Sequence, residues 1–223
     1  MPDPPWRLIT FDVDGTLTTV HGWGFLAEQV GRAAEFEESN RRFRLHQVGE
    51  DEHLTDLLRL ADGLTVEEVG RILEATPKIG GIVEMLASWH AEGTRVALLS
   101  HNPEYVCAWY ERRFGFDGFS GTPVPAPVNG RLRILGPVHA DKREGLEQLL
   151  RRFRVQAHEV VHVGDGWADA ALFPLVGAGV ALNSSLPEVE RPARLALHLR
   201  DVRSLPAAVD ALQRTSEREF QPR

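Results

Sequence analysis

The chain has 223 residues, 25 Lys and Arg against 32 Asp and Glu for a formal charge of −7, and 43 % apolar residues. That length supports one sizeable core plus a small appendage, and that apolar share excludes a disordered chain. Charges of both signs are interspersed, which gives no basic stripe for nucleic acid and no polybasic membrane surface; no apolar run is long enough to span a bilayer.

The opening Met1-Pro2-Asp3-Pro4-Pro5 lacks the charged-then-apolar layout of a signal peptide, so a cytoplasmic protein is expected. The apolar run Leu8-Ile9-Thr10-Phe11 then reads as a buried strand, followed directly by Asp12-Val13-Asp14-Gly15-Thr16. Two carboxylates one residue apart at a strand's carboxyl end face the edge where open α/β sheets hold ligands, a place for a cation and a phosphate. Taken alone, the same letters also read as a turn or a piece of a calcium loop. From 18 to 78 no strand is convincing. Helical patches recur at Phe25, Leu26, Gln29, Val30 and Ala33, at Leu54, Leu57 and Leu58, and at Val66, Val69, Ile72 and Leu73, with Thr65-Val66-Glu67-Glu68 as a capped start. A small helical bundle is the expected product. A helix with Ile79, Ile82, Val83, Leu86 and Trp89 on its apolar face follows.

Thr94–Leu99 reads as a second buried strand running into Ser100-His101-Asn102-Pro103. With Asn102 as N-cap and Pro103 as first helical residue, free backbone N–H groups would gather near Ser100 as an anion site. Cys107, the one cysteine, falls on that helix and reads as a buried structural thiol. Between Phe119 and Ile134 three prolines and Asn129-Gly130 indicate an edge hairpin or loop, either bordering the cleft or merely connecting. Lys142 opens an amphipathic helix with Leu146, Leu149, Leu150 and Phe153 on one face; taken alone it reads first as an ordinary solvated side chain. Val160-Val161-His162-Val163 is a third strand, ending in Gly164-Asp165-Gly166-Trp167-Ala168-Asp169 and a second acidic pair. His162, inside the strand, reads as a packed core residue rather than a ligand. Strand and helix alternate to the end, which argues a doubly wound parallel α/β sheet, and the polar tail 215–223 is expected to fray.

In this order the motifs resemble the haloacid dehalogenase-like (HAD) hydrolase superfamily, most closely its phosphoserine phosphatase-like branch. Asp12-Val13-Asp14-Gly15-Thr16-Leu17 is similar to the first family motif, Ser100 to the second, Lys142 to the third, and Gly164-Asp165-Gly166 with Asp169 to the fourth; Ala178–Asn183 and Pro187-Glu188-Val189 continue the likeness. The resemblance implies a Rossmann-like core over 1–17 and 79–214 with a helical cap over 18–78 inserted after the first strand. It implies a phosphatase acting on a small phosphorylated metabolite, with Asp12 as nucleophile forming an aspartyl-phosphate and Asp14 as general acid and base. It also implies magnesium (Mg2+), held by Asp12, the carbonyl of Asp14 and Asp165, with Asp169 orienting that site and Ser100, His101 and Lys142 at the phosphate. A monomer or homodimer is expected. A phosphotransferase or mutase on the same scaffold and a silent binding module are the alternatives; a carbon–halogen hydrolase is disfavoured by Asp14.

The chain departs from the branch in the pocket. Where phosphoserine phosphatases carry a Glu facing the substrate ammonium, His21 stands here, and no Arg falls in register to face its carboxylate; Arg59 is the nearest candidate. His101-Asn102 replaces small residues, and Trp167-Ala168 stands where the family favours Ala-Asn. His21, Trp23, Arg59 and Trp167 are therefore the pocket candidates. A phosphate monoester other than L-phosphoserine is expected, phosphoserine itself being the alternative.

Overall fold

A computed structural model describes residues 6–219, with side chains to residue 212. Six parallel strands run in the order β3-β2-β1-β4-β5-β6: β1 Leu8–Phe11, β2 Arg95–Pro103, β3 Gly118–Thr122, β4 Val160–Gly164, β5 Ala178–Leu182 and β6 Leu195–Leu197. The order reverses at β1, which sits between β2 and β4 with every residue buried. A strand covered on both faces needs a continuous apolar run, and Leu8-Ile9-Thr10-Phe11 supplies one. The ligand crevice of such a sheet lies at the carboxyl ends where the order reverses, which is where Asp12 and Asp14 emerge.

Helices cover both faces. On one side α7 (Lys142–Phe153) seats Leu146 and Leu149 against Leu8, Ala97 and Leu99, with Leu150 and Phe153 packed beside them. On the other, α5 (Ile82–Glu92), α6 (Glu104–Phe114) and, after the one-turn helices α8 (Trp167–Ala170) and α9 (Pro187–Glu190), α10 (Leu205–Glu219) carry Met85, Trp89, Tyr110 and Val209 into the larger core. Val83, expected on the apolar face of α5, is exposed instead. It lies one residue from Ile82, about 100° around the helix, and the sheet takes only one side. Helix α10 continues to Glu219, so its backbone covers the first part of the tail expected to fray, and 220–223 lie outside the described residues.

Between β1 and α5 the chain forms α1 (Gly22–Gln29), α2 (Ala33–Arg44), α3 (Glu50–Arg59) and α4 (Val66–Ala75). The segment leaves and rejoins the core through one short antiparallel bridge, Thr18 to Lys78. The box expected at Thr65 is present, with Glu68 N–H donating to Thr65 Oγ1 and Thr65 N–H donating to Glu68 Oε2. The sequence missed α2 because Phe36 and Ser39 are its only buried residues.

The Pro-rich stretch after β3 is a loop with one tight hairpin turn, Val128 and Arg131 exchanging backbone hydrogen bonds across Asn129-Gly130, and it connects without lining the cleft. Phe119–Thr122 belongs to the parallel edge strand β3, and Asn129-Gly130 turns with positive φ at both residues (51° and 76°). The following residues reach across to the helical insert: Leu132 N–H donates to Leu64 O (2.7 Å), Ile134 N–H to Asp62 Oδ1 (2.8 Å) and Val138 N–H to Thr55 Oγ1 (2.8 Å). The stretch is a strap that ties the insert to the core.

Candidate active site

Asp12 leaves β1 with its N–H bonded to Val163 O of β4, so its carboxylate stands at the sheet edge beside the β4 turn. Lys142, the first residue of α7, is buried and places Nζ 3.1 Å from Asp12 Oδ1 while pairing with Asp169 Oδ1. Burial pulls its pKa down, but the two carboxylates outweigh that and hold Nζ protonated. Asp169 is fully occupied: Oδ2 accepts from Asp165 N–H (3.2 Å) and Gly166 N–H (3.0 Å), and Oδ1 also meets His162 Nε2 at 2.9 Å. Burial favours its neutral form, yet Lys142 and His162 keep its pKa below the ordinary carboxylate range.

Asp14 is held differently. Its Oδ1 accepts from Gly22 N–H (2.9 Å) and its Oδ2 from Asn102 Nδ2 (3.0 Å). Burial raises its pKa; His21 lowers it, Asp12 raises it, and these two hydrogen bonds lower it, the balance lying above the ordinary value. The two carboxylates of one motif are thus set apart, one against an ammonium and one in a setting that favours the proton. Gly22 leaves room for this carboxylate, because a Cβ there would meet Asp14 Oδ1 at 2.2 Å and one of the two would have to shift.

Asp12, Asp165 and Asp169 present carboxylate oxygens within 4.8 Å of one another. Burial and the charges of Asp12 and Asp169 push Asp165 up to about 8, against the opposing hydrogen bond from Thr16 Oγ1 (2.9 Å) and the Lys142 charge. Crowded carboxylates with a raised pKa are what a hard divalent cation relieves, so this donor set fits magnesium. With Asp169 spent on Lys142, His162 and two backbone N–H groups, Asp12 and Asp165 are the side chains left to hold the ion. Gly15, with φ +78°, lies so close that a Cβ would meet Asp165 Oδ2 at 2.3 Å.

These groups open into a cleft of about 850 Å³ between the sheet edge and the helical insert. Ser100, His101 and Lys142 line it from the core, joined by Asp165 and Trp167; His21 and Trp23 line it from the insert. His101 lies below the ordinary imidazole range through burial and the nearby Lys142. Two expectations change. β2 continues through Pro103, and the N-cap of α6 is Pro103, so Asn102 caps nothing; its amide bonds Asp14 and Ser100 Oγ (3.2 Å). Arg59 does not reach the cleft: it is exposed, while Leu57, two residues earlier on α3, lines it. Cys107 is buried, with its thiol pushed up by burial, and His162 is buried but bonded to the site rather than merely packed.

The model of the haloacid dehalogenase-like hydrolases matches residues 6–177. A phosphoserine phosphatase of Archaeoglobus fulgidus is 31 % identical over 182 residues, which cover 80 % of this chain and 53 % of that protein. One of Saccharomyces cerevisiae is 26 % identical, with 88 % and 65 % covered. The chain thus spans between half and two thirds of the length of these relatives. Among solved structures, a substrate-bound phosphoserine phosphatase superposes with a TM-score of 0.76 at 20 % identity, covering 91 % of this chain and 98 % of that one. That last likeness shows the fold alone. With the family model running from before β1 almost to β5, and with the motif residues it spans gathered at one sheet edge, the chain belongs to the haloacid dehalogenase-like hydrolases, on their phosphoserine phosphatase-like branch.

Proposed function

We infer that the protein is a magnesium-dependent phosphatase that hydrolyses the phosphate monoester of a small metabolite through an aspartyl-phosphate on Asp12. The observation that carries this reading is the division of labour between Asp12, 3.1 Å from the Lys142 ammonium, and Asp14, whose carboxyl is biased toward its protonated form. An Asp12 oxygen attacks phosphorus as the bond to the leaving oxygen breaks, and Asp14 delivers its proton to that oxygen. Asp14, now a carboxylate, takes a proton from water as the water oxygen attacks the aspartyl-phosphate; the bond from Asp12 to phosphorus breaks and inorganic phosphate leaves. Lys142, the Ser100 hydroxyl and the half-buried His101 hold the phosphoryl oxygens. A bound magnesium ion supplies charge neutralisation between the phosphate and the carboxylates.

In this reading 1–17 and 79–214 act as the catalytic core and 18–78 as a cap that contacts the leaving group, in a protein that works in the cytoplasm. The relatives named above are phosphoserine phosphatases, which favours L-phosphoserine as substrate. Exposed His21 at the cleft and the outward-facing Arg59 favour another ester. The test is release of nitrophenolate from 4-nitrophenyl phosphate with magnesium, run beside Asp12→Asn. Turnover in the wild type that falls to roughly 10⁻³ or less in the variant is expected; a variant retaining most of the rate removes Asp12 from its role.

A further inference from the structure

The leaving-group end of the cleft has a chemistry of its own, and it differs from the phosphate end. From the insert come Leu54 and Leu57 of α3, Trp23 of α1, and Phe43 of α2. Phe43 is stacked on His53, with ring centroids 4.4 Å apart and planes 6° from parallel. From the core comes Trp167, 56 % exposed although it lines the same cleft. A large exposed indole at the mouth of a site is apolar area that a ligand covers. Its Nε1 donates to Glu188 Oε1 at 3.3 Å, which satisfies the polar edge of the indole and leaves the rest of the ring as apolar area.

The charges agree with the shapes. Burial, then His21, holds His53 below the ordinary imidazole range, so at neutral pH it is an uncharged ring. Glu50 is the one carboxylate that the insert adds to the cleft, and no Lys or Arg of the insert lines it; Arg200, on the core rim, is the cation of the cleft besides Lys142. A carboxylate directed at the insert would therefore lose its water against apolar and aromatic groups, with Glu50 on that side and no counter-charge from the insert. The cleft volume of about 850 Å³ lies in the range of sites for whole small molecules.

We propose that the preferred substrate is the phosphate monoester of an alcohol with a neutral, ring-bearing body, its phosphate at Asp12 and its ring against Trp167 and the Phe43–His53 pair. This rests on the phosphatase reading above and names the substrate class for that same site. The specificity-determining residues are Trp167, Phe43 and Leu57, while the reacting groups are untouched by the choice of alcohol.

The experiment compares kcat/KM for 2-phenylethyl phosphate, ethyl phosphate and L-phosphoserine, using the full chain with magnesium and phosphate release as the readout. The ring should raise kcat/KM at least tenfold over ethyl phosphate, mainly through KM, and L-phosphoserine should fall below 2-phenylethyl phosphate by a similar margin. In Trp167→Ala the ratio between the aryl and ethyl esters should drop at least threefold, and Trp167→Phe should restore most of it. Leu57→Arg should move the preference toward L-phosphoserine. Hydrolysis of ethyl phosphate with no gain from the ring, or with L-phosphoserine preferred, overturns this inference and leaves the phosphatase reading standing. A ratio unchanged by Trp167→Ala overturns it as well. If none of the three esters is hydrolysed, both fall.

Discussion

The amide of Asn102 donates to Asp14 across the junction of β1 and β2, Nδ2 to Oδ2 at 3.0 Å, and the same amide donates to Ser100 Oγ at 3.2 Å. One side chain therefore orients the proposed acid and a proposed phosphate ligand together. Because the bond to Asp14 favours the carboxylate, its loss should raise the pKa of Asp14 further. Asn102→Ala should move the alkaline limb of the kcat profile upward by roughly half to one pH unit and lower kcat about tenfold. A limb that stays in place while kcat falls would assign Asn102 to packing alone.

Gly22 tests the same carboxylate from the other side. A methyl group there would stand 2.2 Å from Asp14 Oδ1, so Gly22→Ala must displace Asp14 or the start of α1. The loss should appear in kcat, by roughly tenfold to a hundredfold, with the far-ultraviolet dichroism intact because α1 otherwise tolerates Ala. Wild-type kcat in Gly22→Ala would show that the position of Asp14 is not critical.

Metal removal should couple to pH through Asp165. Its folded pKa, about 8, lies above the unfolded 3.8, so the stability it contributes is full below about 4 and is lost as pH rises through about 8. Asp169 is shifted the other way, and its contribution fades only in acid, below that window. In a chelator the thermal midpoint should accordingly be lower at pH 8.5 than at pH 6. Magnesium at a hundredfold excess over its Kd at pH 8.5 should restore about 2.7 kcal/mol there, and less at pH 6 where the proton competes. Equal stabilisation at both pH values, measured by calorimetry, would detach Asp165 from the ion.

His162 joins Thr10 to the site. Asp169 can only accept, so Nε2 carries the proton toward it, and Thr10 Oγ1 meets Nδ1 at 2.9 Å. His162→Leu would leave Asp169 short of a donor in a fully buried setting, at a cost of about 2–4 kcal/mol in urea unfolding. His162→Gln, which can still donate, should lose less than half of that. A loss below about 0.5 kcal/mol in His162→Leu would mean the ring only fills space.

What the sequence determined by itself is local: apolar runs that must be buried strands, acidic and Gly residues at their carboxyl ends, the capping box at Thr65, the amphipathic face of α7. These depend on neighbours within a few residues, and their order along the chain carries the family resemblance that joined Asp12, Asp14, Ser100, Lys142 and Asp165 into one hypothesis. What only the tertiary structure decided is direction and partnership. Leu57 and Arg59 lie on one short helix, about 200° apart around its axis, and which one faces the cleft depends on how α3 packs. Asn102 looks like a helix cap because Pro103 follows it, yet the strand continues and its amide finds Asp14, 88 residues away in sequence. His162 has the pattern of a core residue and is one, but its two ring nitrogens are satisfied by Thr10 and Asp169, groups that only the β1–β4 pairing and the turn after β4 bring together. Long-range hydrogen bonds leave no periodic trace in a sequence, because nothing in the local spacing of residues encodes which distant strand will lie alongside.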